Sequence, residues 1–555
     1  MSKFRVLAIF VTLCMALSLL AACGGNQGAG DTGGPATAPA ASPTGGAPAP
    51  APSTGGAPSV APIQPAVPAP ENIEIAEHIV FVNGTSERVA TFDNTNPVTS
   101  SIGSNITFTM IYDKLVEVQP DGTLIPELAK SWDINADYSE FTFHLRDDVY
   151  FHNGEKFTAD DVAFTIERSR TAPGTQAYDR FSLVESWDIV NDYEIVLKLE
   201  QSFVDFVWNI TWPACGIHNR KALEADPETG HYIGTGKYTV YDFVVDDYIT
   251  FERFDNYWDD MIRSKYVTFR YVAEETARFI MLENGDANVV MAMSPIYVPD
   301  ADANPNLDYL AYTLGNITYI GFNMNLPVMA DINFRKAVAH AVNREQMVLA
   351  AREGYGTIPN NPVHWGYMTE FRNEDVARYD YDLDKAKEYL AMSSYNGETI
   401  EMIASNPSSQ QVMQVAVSNL ADIGINITAR NTDNPGMNAD TAWGNQDLRI
   451  HAHAGEYQFW ASSARVNYYP GILGNRSMYD NPEVTSLLDE AMGTFDDAAR
   501  EAIYRKIQEI VAEDCPYVAI YHHLQIIGIS DGLGGILASP STPFTDFSNM
   551  YLPIK

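Results

Sequence analysis

The sequence has little positive charge, few cysteines and no long apolar run beyond its first residues. Among 555 residues, 35 lysines and arginines stand against 72 aspartates and glutamates, which gives a formal net charge of −37. Such an excess of negative charge repels phosphate backbones and argues against binding to nucleic acid. After residue 22 no stretch approaches the roughly 18–20 apolar residues of a membrane-spanning helix. We therefore expect the mature chain not to cross a membrane.

Common enzyme signatures are missing as well. The chain contains no HExxH and no Cys/His arrangement typical of a catalytic nucleophile. A hydrolase with paired carboxylates remains an alternative because aspartate and glutamate are abundant. The spacing of the four cysteines matches no zinc site, so we predict neither a metal centre nor a cofactor.

The N-terminus has the features of a secretory leader. Lys3 and Arg5 precede an apolar run that ends in Leu-Ala-Ala-Cys at Cys23. This ending resembles the lipobox of bacterial lipoproteins, which implies cleavage before Cys23 and a diacylglycerol on its sulfur. We therefore predict a signal peptide at 1–22 and a lipid anchor at the outer face of the cytoplasmic membrane. A plain signal peptide with an incidental cysteine is the alternative.

Composition divides the remaining chain into a tether and a globular region. Residues 24–70 consist almost entirely of Gly, Ala, Pro, Ser and Thr, so we predict a solvated tether at 23–73. From about Glu74 to Lys555, segments with strand and helix patterns mix without a second linker or a repeat. This mixture predicts an α/β protein whose domains interleave along the chain.

Two cysteines, Cys215 and Cys515, remain after the leader and the predicted lipid site. They could form one long-range disulfide in an oxidising exterior, or lie apart as small buried residues. The sequence alone leaves both alternatives open.

The segment 143–167 holds two histidines and six carboxylates, as if it carried out chemistry. Its pattern has a structural explanation. The alternation FTFHLR predicts a half-buried strand with His144 on the polar face, and the Asn-Gly pair ending at Gly154 predicts a hairpin turn. Thr158 and Asp161 have the spacing of a helix capping box. Strand, turn and cap account for the segment without a reaction.

Several motifs, taken in chain order, resemble the extracellular solute-binding proteins of peptide-type ABC importers. The resemblance runs from about Ile79 to the C-terminus, and the family includes oligopeptide, dipeptide, nickel and some oligosaccharide binders. The motifs are LIPELAKSWDINADYSEFTFHLRDDVYFHNGEKFTADDVAFTIERSR, IGTGKYTVYDFVVDDYITFERFDNYWDD, MLENGDANVV, YIGFNMNLPVMADINFRKAVAHAVNREQMV, YDLDKAKEYL, MYDNPEVTSLLDEA and EIVAEDCPYVAIYHH.

The resemblance implies a two-lobed fold of the periplasmic-binding-protein type, with an additional inserted domain and a hinge between the lobes. A ligand that prefers the closed state would shift such a hinge toward closure. The implied domains are a discontinuous lobe I at 74–107, 233–320 and 515–555, an inserted domain II at 108–232, and lobe III at 321–514.

The resemblance also implies a ligand site after a strand within 446–460. Peptide binders of the family carry a Gly-Trp pair followed by an aspartate that holds the peptide's α-amine. Here Glu456 stands at the position of the aspartate, and Ala452-His453 replaces Gly-Trp. His451 and His453 share one strand face by spacing, so with Glu456 they are candidates for an organic ligand, for a metal chelate, or for no direct role.

Other candidates surround this segment. The resemblance places Tyr319 and Asn323 on a strand beside the pocket, and we predict Tyr457, Trp460 and Trp365 as pocket aromatics. A buried strand with one polar face, and aromatic residues of the core, are the alternatives.

Two arginines, Arg335 and Arg344, look like carboxylate clamps but lie in a helix with a packed apolar face. We expect them to form surface or interdomain pairs.

The function implied is capture of a small solute, most plausibly a peptide, and its delivery to an ABC permease by a lipid-anchored monomer. An oligosaccharide or metal-chelate binder and a surface receptor that has lost transport are the alternatives.

Overall fold

The computed structural model describes the globular region with several gaps. The described residues are 73–84, 89, 91–96, 102–119, 123–173, 175–259, 263–361, 363, 371–432, 447–453, 460–472, 474–538 and 545–554. For 449, 451–453 and 460–463 only the backbone is described. All described residues belong to one compact unit of the chain, 56–555. Cys23 and the predicted tether up to residue 72 lie outside them.

Strands and helices alternate along the described chain, and the predicted α/β class is confirmed. The strands are β1 (His78–Asn83), β2 (Val116–Val118), β3 (Leu124–Pro126), β4 (Ala129–Ile134), β5 (Glu140–Leu145), β6 (Val184–Asn191), β7 (Glu194–Leu199), β8 (Tyr238–Val244), β9 (Tyr248–Arg253), β10 (Tyr266–Tyr271), β11 (Val289–Val290), β12 (Leu307–Phe322), β13 (Gly356–Thr357), β14 (Thr399–Ala404), β15 (Asn426–Asn431), β16 (Leu448–His453) and β17 (Tyr517–Ser530). The helices are α1 (Ile102–Ile111), α2 (Ala159–Arg170), α3 (Gln176–Phe181), α4 (Phe206–Asn209), α5 (Arg220–Ala225), α6 (Glu275–Asn284), α7 (Val298–Ala303), α8 (Pro327–Ala330), α9 (Ile332–Ala341), α10 (Arg344–Arg352), α11 (Leu383–Met392), α12 (Pro407–Ala421), α13 (Trp460–Tyr468), α14 (Pro482–Met492) and α15 (Asp497–Asp514).

One open sheet runs through the molecule. Among the described strands, eleven form it in the order β15-β14-β16-β12-β17-β11-β1-β10-β9-β8, with β13 also paired to β17. The central strands β12 and β17 are 16 and 14 residues long and pair antiparallel from Leu307↔Ser530 to Gly321↔Tyr517. Their register shifts between Thr313 and Ile317. These two strands therefore join the half of the sheet built from β14–β16 to the half built from β1 and β8–β11.

A separate four-stranded antiparallel sheet has the order β4-β5-β7-β6. We call residues 108–232, which contain it, the inserted segment, and residues 321–514 lobe III. In β5 burial alternates strictly, with Phe141 and Phe143 fully buried and Thr142 between them only partly buried. The predicted half-buried strand is confirmed. His144, on its polar face, contacts the carboxylates of Asp133 at 2.9 Å and Glu194 at 3.2 Å.

The predicted turn and helix cap after β5 are confirmed. Gly154 has a φ of +82°, the left-handed conformation that glycine adopts without strain. The Thr158 N–H donates to Asp161 Oδ2 at 3.0 Å, and Asp161 Oδ1 accepts the N–H of Arg220 at 3.1 Å. One carboxylate thus caps α2 and holds the start of α5 beside it.

His152, the second histidine of this segment, fastens the inserted segment to the IGTG motif. Its Nε2 donates to the Gly236 carbonyl at 2.9 Å, and its Nδ1 accepts the Gly234 N–H at 3.2 Å. Burial lowers the pKa of His152 to about 4, so the ring is neutral. Both ring nitrogens of His152 are therefore used in these two hydrogen bonds to the backbone.

The predicted helical run around residue 342 is divided. α9 ends at Ala341, and α10 begins after Asn343, whose side chain accepts the Gln346 N–H at 3.0 Å. An internal capping residue thus starts a second helix.

Of the surface or interdomain pairs expected for Arg335 and Arg344, the surface alternative is wrong. Arg335 is buried and donates twice to the Asp514 carbonyl, at 3.0 and 2.7 Å, at the end of α15. Arg344 donates to the carbonyls of Ala519 and Tyr379, both at 2.8 Å. Both guanidinium groups bind backbone oxygen inside the protein because helix ends and loops leave carbonyls without partners.

The cysteines Cys215 and Cys515 are free and buried in two different hydrophobic clusters. The sequence left open a disulfide or two separate buried cysteines, and the structure shows the separate cysteines. Burial raises the pKa of the Cys215 thiol to about 12 and that of Cys515 to about 11. Neither thiol is ionised at neutral pH.

None of the helices within the described ranges combines the length and the apolar character that a bilayer span requires.

Candidate ligand site

The strand that carries the predicted ligand segment is a central strand of the large sheet. β16 pairs antiparallel with β12, which places His451 opposite Tyr319 and His453 opposite Ile317 in the backbone register. The backbone thus brings Tyr319 next to the segment that the sequence singled out.

Several predicted site residues cannot be placed in full. Glu456, Tyr457 and Trp365 lie outside the described residues, and for His451, His453 and Trp460 only the backbone is described.

Tyr319 and Asn323 are almost fully buried. Tyr319 packs in a cluster of lobe III, with its ring edge-on to Tyr517 at 4.8 Å between centroids. Asn323 follows β12, where its N–H donates to the Asp447 carbonyl at 3.0 Å and its Oδ1 accepts the Asn325 N–H at 3.2 Å. Both residues hold β12 beside β16, and their contact with a ligand stays a prediction.

A cavity of about 580 Å³ lies between the inserted segment and lobe III. This volume is within the range of small-molecule sites. Three stretches of the chain, all distant in sequence from one another, line it. The lining residues are Gln176, Asp179, Arg180, Ser182, Leu183, Phe203, Asp205, Asn209, Arg465, Val466, Ile472, Leu488, Met492 and Tyr504.

The two arginines of the cavity already have protein partners. Arg180 donates to Asn209 Oδ1 at 3.0 Å and lies over the Trp212 ring at 4.4 Å. Arg465 pairs with Asp489 at 3.0 Å and lies over the ring of its neighbour Tyr469 at 3.9 Å. Each guanidinium is therefore held in place by a hydrogen bond and an aromatic face.

The two carboxylates of the cavity differ from the arginines in their lack of protein partners among the described residues. Within the described part of the chain, neither Asp179 nor Asp205 forms a side-chain hydrogen bond or an ion pair. Burial raises the pKa of Asp179 against the opposing effect of Arg180. Burial also raises the pKa of Asp205, while the positive charge of Arg500 opposes the increase. Asp205 is partly buried whereas Asp179 is exposed, so only Asp205 lies in a partly desolvated place.

An aromatic contact joins the inserted segment to lobe III close to the cavity. Tyr138 stacks on Phe495 with ring centroids 5.1 Å apart and an interplanar angle of 19°. The Tyr138 carbonyl accepts the N–H of Phe203, which lines the cavity. Tyr138 has a φ of +55°, uncommon for a residue other than glycine. The ring stack and this hydrogen bond therefore connect the rim of the cavity to the inserted segment and to lobe III.

In the part of the chain that the structure describes, no three His, Cys, Asp or Glu side chains come together as metal ligands would. The side chains of His451, His453 and Glu456 lie outside this part of the chain.

A sheet with two halves joined by long strands, a separate antiparallel sheet and a cavity between distant segments are the features of a two-lobed binding protein. The chain belongs to the bacterial extracellular solute-binding proteins, family 5, because the model of the family's middle part matches residues 123–471. It is therefore a solute-binding protein of ABC importers, and the resemblance stated from its motifs is confirmed.

Relatives and solved structures agree with this assignment. Heme-binding protein A of Haemophilus influenzae is 27% identical over 485 residues, covering 79% of this chain and 86% of that protein. The glutathione-binding protein GsiB of Pectobacterium atrosepticum is 25% identical over 487 residues, covering 84% and 92%. The substrate-binding protein CtaP of Listeria monocytogenes has the same fold, with a TM-score of 0.75 at 22% identity over 86% of this chain and 100% of that one.

Proposed function

We propose that this chain is a lipid-anchored binding protein that captures a peptide and delivers it to an ABC permease. The observation that carries the proposal is membership of family 5, whose model matches residues 123–471. The lipobox-like Cys23 and the tether that follows it support attachment to the outer face of the cytoplasmic membrane. Affinity then comes from closure and hydrogen bonding, and the protein carries out no reaction.

The peptide is the ligand class that we favour because relatives include glutathione-binding and dipeptide-binding proteins. In this proposal Glu456 holds the α-amine, since a partly buried carboxylate is a good partner for an ammonium group. His451 and His453 contact the ligand from β16, and Tyr319 and Asn323 support it from β12. The aromatic residues Tyr457, Trp460 and Trp365 surround it.

A thermal-shift screen of the purified chain tests the ligand class. The panel holds peptides of two to eight residues, nickel–histidine complexes and oligosaccharides. A ligand at 100 times its dissociation constant stabilises the folded state by about 2.7 kcal/mol, which is a clear rise in melting temperature. We expect peptides to produce it. Stabilisation by sugars or chelates alone would overturn the peptide assignment.

The role of Glu456 has a separate test. N-terminal acetylation of a peptide hit, or the change Glu456→Gln, is expected to weaken binding about 10- to 100-fold because a charge-assisted hydrogen bond is lost. Glu483→Gln, at an exposed site in the first turn of α14, is the matched control. Unchanged affinity of the acetylated peptide would contradict the role.

The lipid anchor is tested by Cys23→Ser. We expect the wild-type chain in the membrane fraction and the variant in the soluble extracytoplasmic fraction. Equal distribution of the two would contradict lipidation at Cys23.

A further inference from the structure

We propose that the cavity between the inserted segment and lobe III is a subsite for a basic side chain of the bound peptide, with Asp179 and Asp205 as the partners of its cationic group. The inference rests on the proposed function and adds a substrate preference to it. None of the described residues that line this cavity belongs to β16.

The first step is the state of the two carboxylates. Asp179 lies in α3 and Asp205 directly precedes α4, and both line the cavity. In the described chain neither has a hydrogen-bonding partner. A carboxylate in a partly desolvated place is costly until a cation pairs with it. The partly buried Asp205 therefore offers an acceptor that no side chain of the described chain uses, and the exposed Asp179 lines the same cavity.

The second step is the balance of charge. Asp489 neutralises Arg465 at 3.0 Å, which leaves Arg180 against Asp179 and Asp205. One positive charge faces two negative charges, so the remaining charge is −1. The sign selects a cationic group over a carboxylate or phosphate.

Arg500 of lobe III is the protein cation that competes for Asp205. It affects the pKa of Asp205 but makes no ion pair with it, and its Nη2 is occupied by Asp497 at 2.9 Å. Its Nε and Nη1 are buried without a hydrogen-bonding partner among the described residues, so a ligand cation competes with Arg500 for the Asp205 carboxylate.

The third step is the apolar wall. Leu183 and Phe203 of the inserted segment face a set of apolar side chains from lobe III across the cavity, including Val466, Leu488 and Met492. Such a wall suits the methylene stem of a long basic side chain, whose body is apolar and whose end is charged. A lysine or arginine side chain has this form, whereas a compact inorganic cation does not.

Two tripeptides with the same stem test the proposal by isothermal titration calorimetry. The first is leucyl-lysyl-leucine. The second is leucyl-norleucyl-leucine, which lacks the side-chain ammonium and keeps the α-amine. We expect the wild-type chain to bind the lysine peptide about 10- to 100-fold more tightly, as for one charge-assisted hydrogen bond.

Asp205→Asn and Asp179→Asn are expected to remove most of this preference and to leave binding of the norleucine peptide unchanged. Asp205→Glu keeps the charge and should retain part of the preference. Asp188→Asn, on exposed β6 outside the cavity, is the matched control and should behave as wild type.

The outcomes separate the two proposals. Equal binding of both peptides by the wild-type chain overturns the subsite and leaves the proposed function intact. A preference that survives in both aspartate variants, with unchanged melting temperatures, also overturns it. If neither tripeptide nor any peptide of the panel binds, the proposed function itself fails.

Discussion

At the scale of single residues, Asp93 shows how a partly buried charge is paired within this protein. Its carboxylate accepts from the Thr95 hydroxyl at 2.6 Å and from Arg168 at 2.7 Å. Burial alone raises the pKa of Asp93, but Thr95, Arg168 and the nearby His231 outweigh it and lower the pKa to about 2. The carboxylate thereby links the loop 91–96 to α2.

This link predicts a stability that depends on pH. Since the folded-state pKa of Asp93 lies below its usual 3.8, the stabilisation is present above pH 4 and disappears as the pH falls toward 2. Partial exposure reduces the effect to about 1–2 kcal/mol. We expect Asp93→Asn to lower the free energy of unfolding by this amount at pH 7 and by progressively less below pH 4, measured by urea unfolding.

The control for this prediction is Asp160→Asn. Asp160 pairs with Arg220 at 2.7 Å on the exposed surface, where ion pairs contribute roughly 0–1 kcal/mol. An equal loss of stability in the two variants would contradict the prediction that the Asp93 contacts contribute more than an exposed ion pair does.

At the scale of elements, the IGTG motif shows why glycine is required where strand and helix meet. A Cβ on Gly236 would lie 2.5 Å from the Ile111 carbonyl carbon and 2.7 Å from the Tyr112 nitrogen, at the end of α1. A Cβ on Gly234 would lie only 1.7 Å from the Ile111 carbonyl oxygen. The backbone of this motif therefore packs directly on backbone.

We predict that Gly236→Ala destabilises the protein by about 2–3 kcal/mol because the added methyl group overpacks the contact. Gly154→Ala is the comparison, since Gly154 has open space around it and a φ of +82°. It should lose about 1 kcal/mol, and Asn at position 154 should recover part of the loss because Asn tolerates this conformation. Gly236→Asn should destabilise the protein more than Gly236→Ala does. Thermal or urea unfolding distinguishes the two patterns.

How much of the structure can be predicted from the sequence depends on how far apart the interacting residues lie along the chain. Asn481 accepts the N–H of Glu483 at 3.0 Å and begins α14, and its position just before Pro482 marks this helix start in the sequence because a cap is a local device. The break at Asn343 was not predicted, since the apolar pattern continues through it. The cavity was not predicted either, because Asp179, Asp205 and Arg465 belong to separate elements and share no local pattern.

At the scale of the whole molecule, the contact between Tyr138 and Phe495 connects two parts that a hinge can move apart. We expect Tyr138→Ala to increase the radius of gyration of the ligand-free chain in small-angle X-ray scattering. The affinity for a peptide hit should fall about 2- to 10-fold, the range for an aromatic pair.

Tyr150→Ala, at an exposed tyrosine of the same segment, is the matched control. If Phe495→Ala has no effect in the Tyr138→Ala background while each single change has one, the two rings act as a unit. A radius unchanged in Tyr138→Ala would show that the stack does not hold the closed form.

The two ends of the described chain pair with each other. The Ala76 N–H donates to the Leu552 carbonyl at 2.7 Å, and the Ile554 N–H donates to the Glu74 carbonyl at 2.9 Å. β1 also needs β10, which emerges about 10–40 s later at a synthesis rate of roughly 5–20 residues per second. This edge of the molecule therefore cannot assemble before residue 554 has been synthesised. Until then its segments stay unpaired, which is the open state that the predicted export through a translocation channel requires.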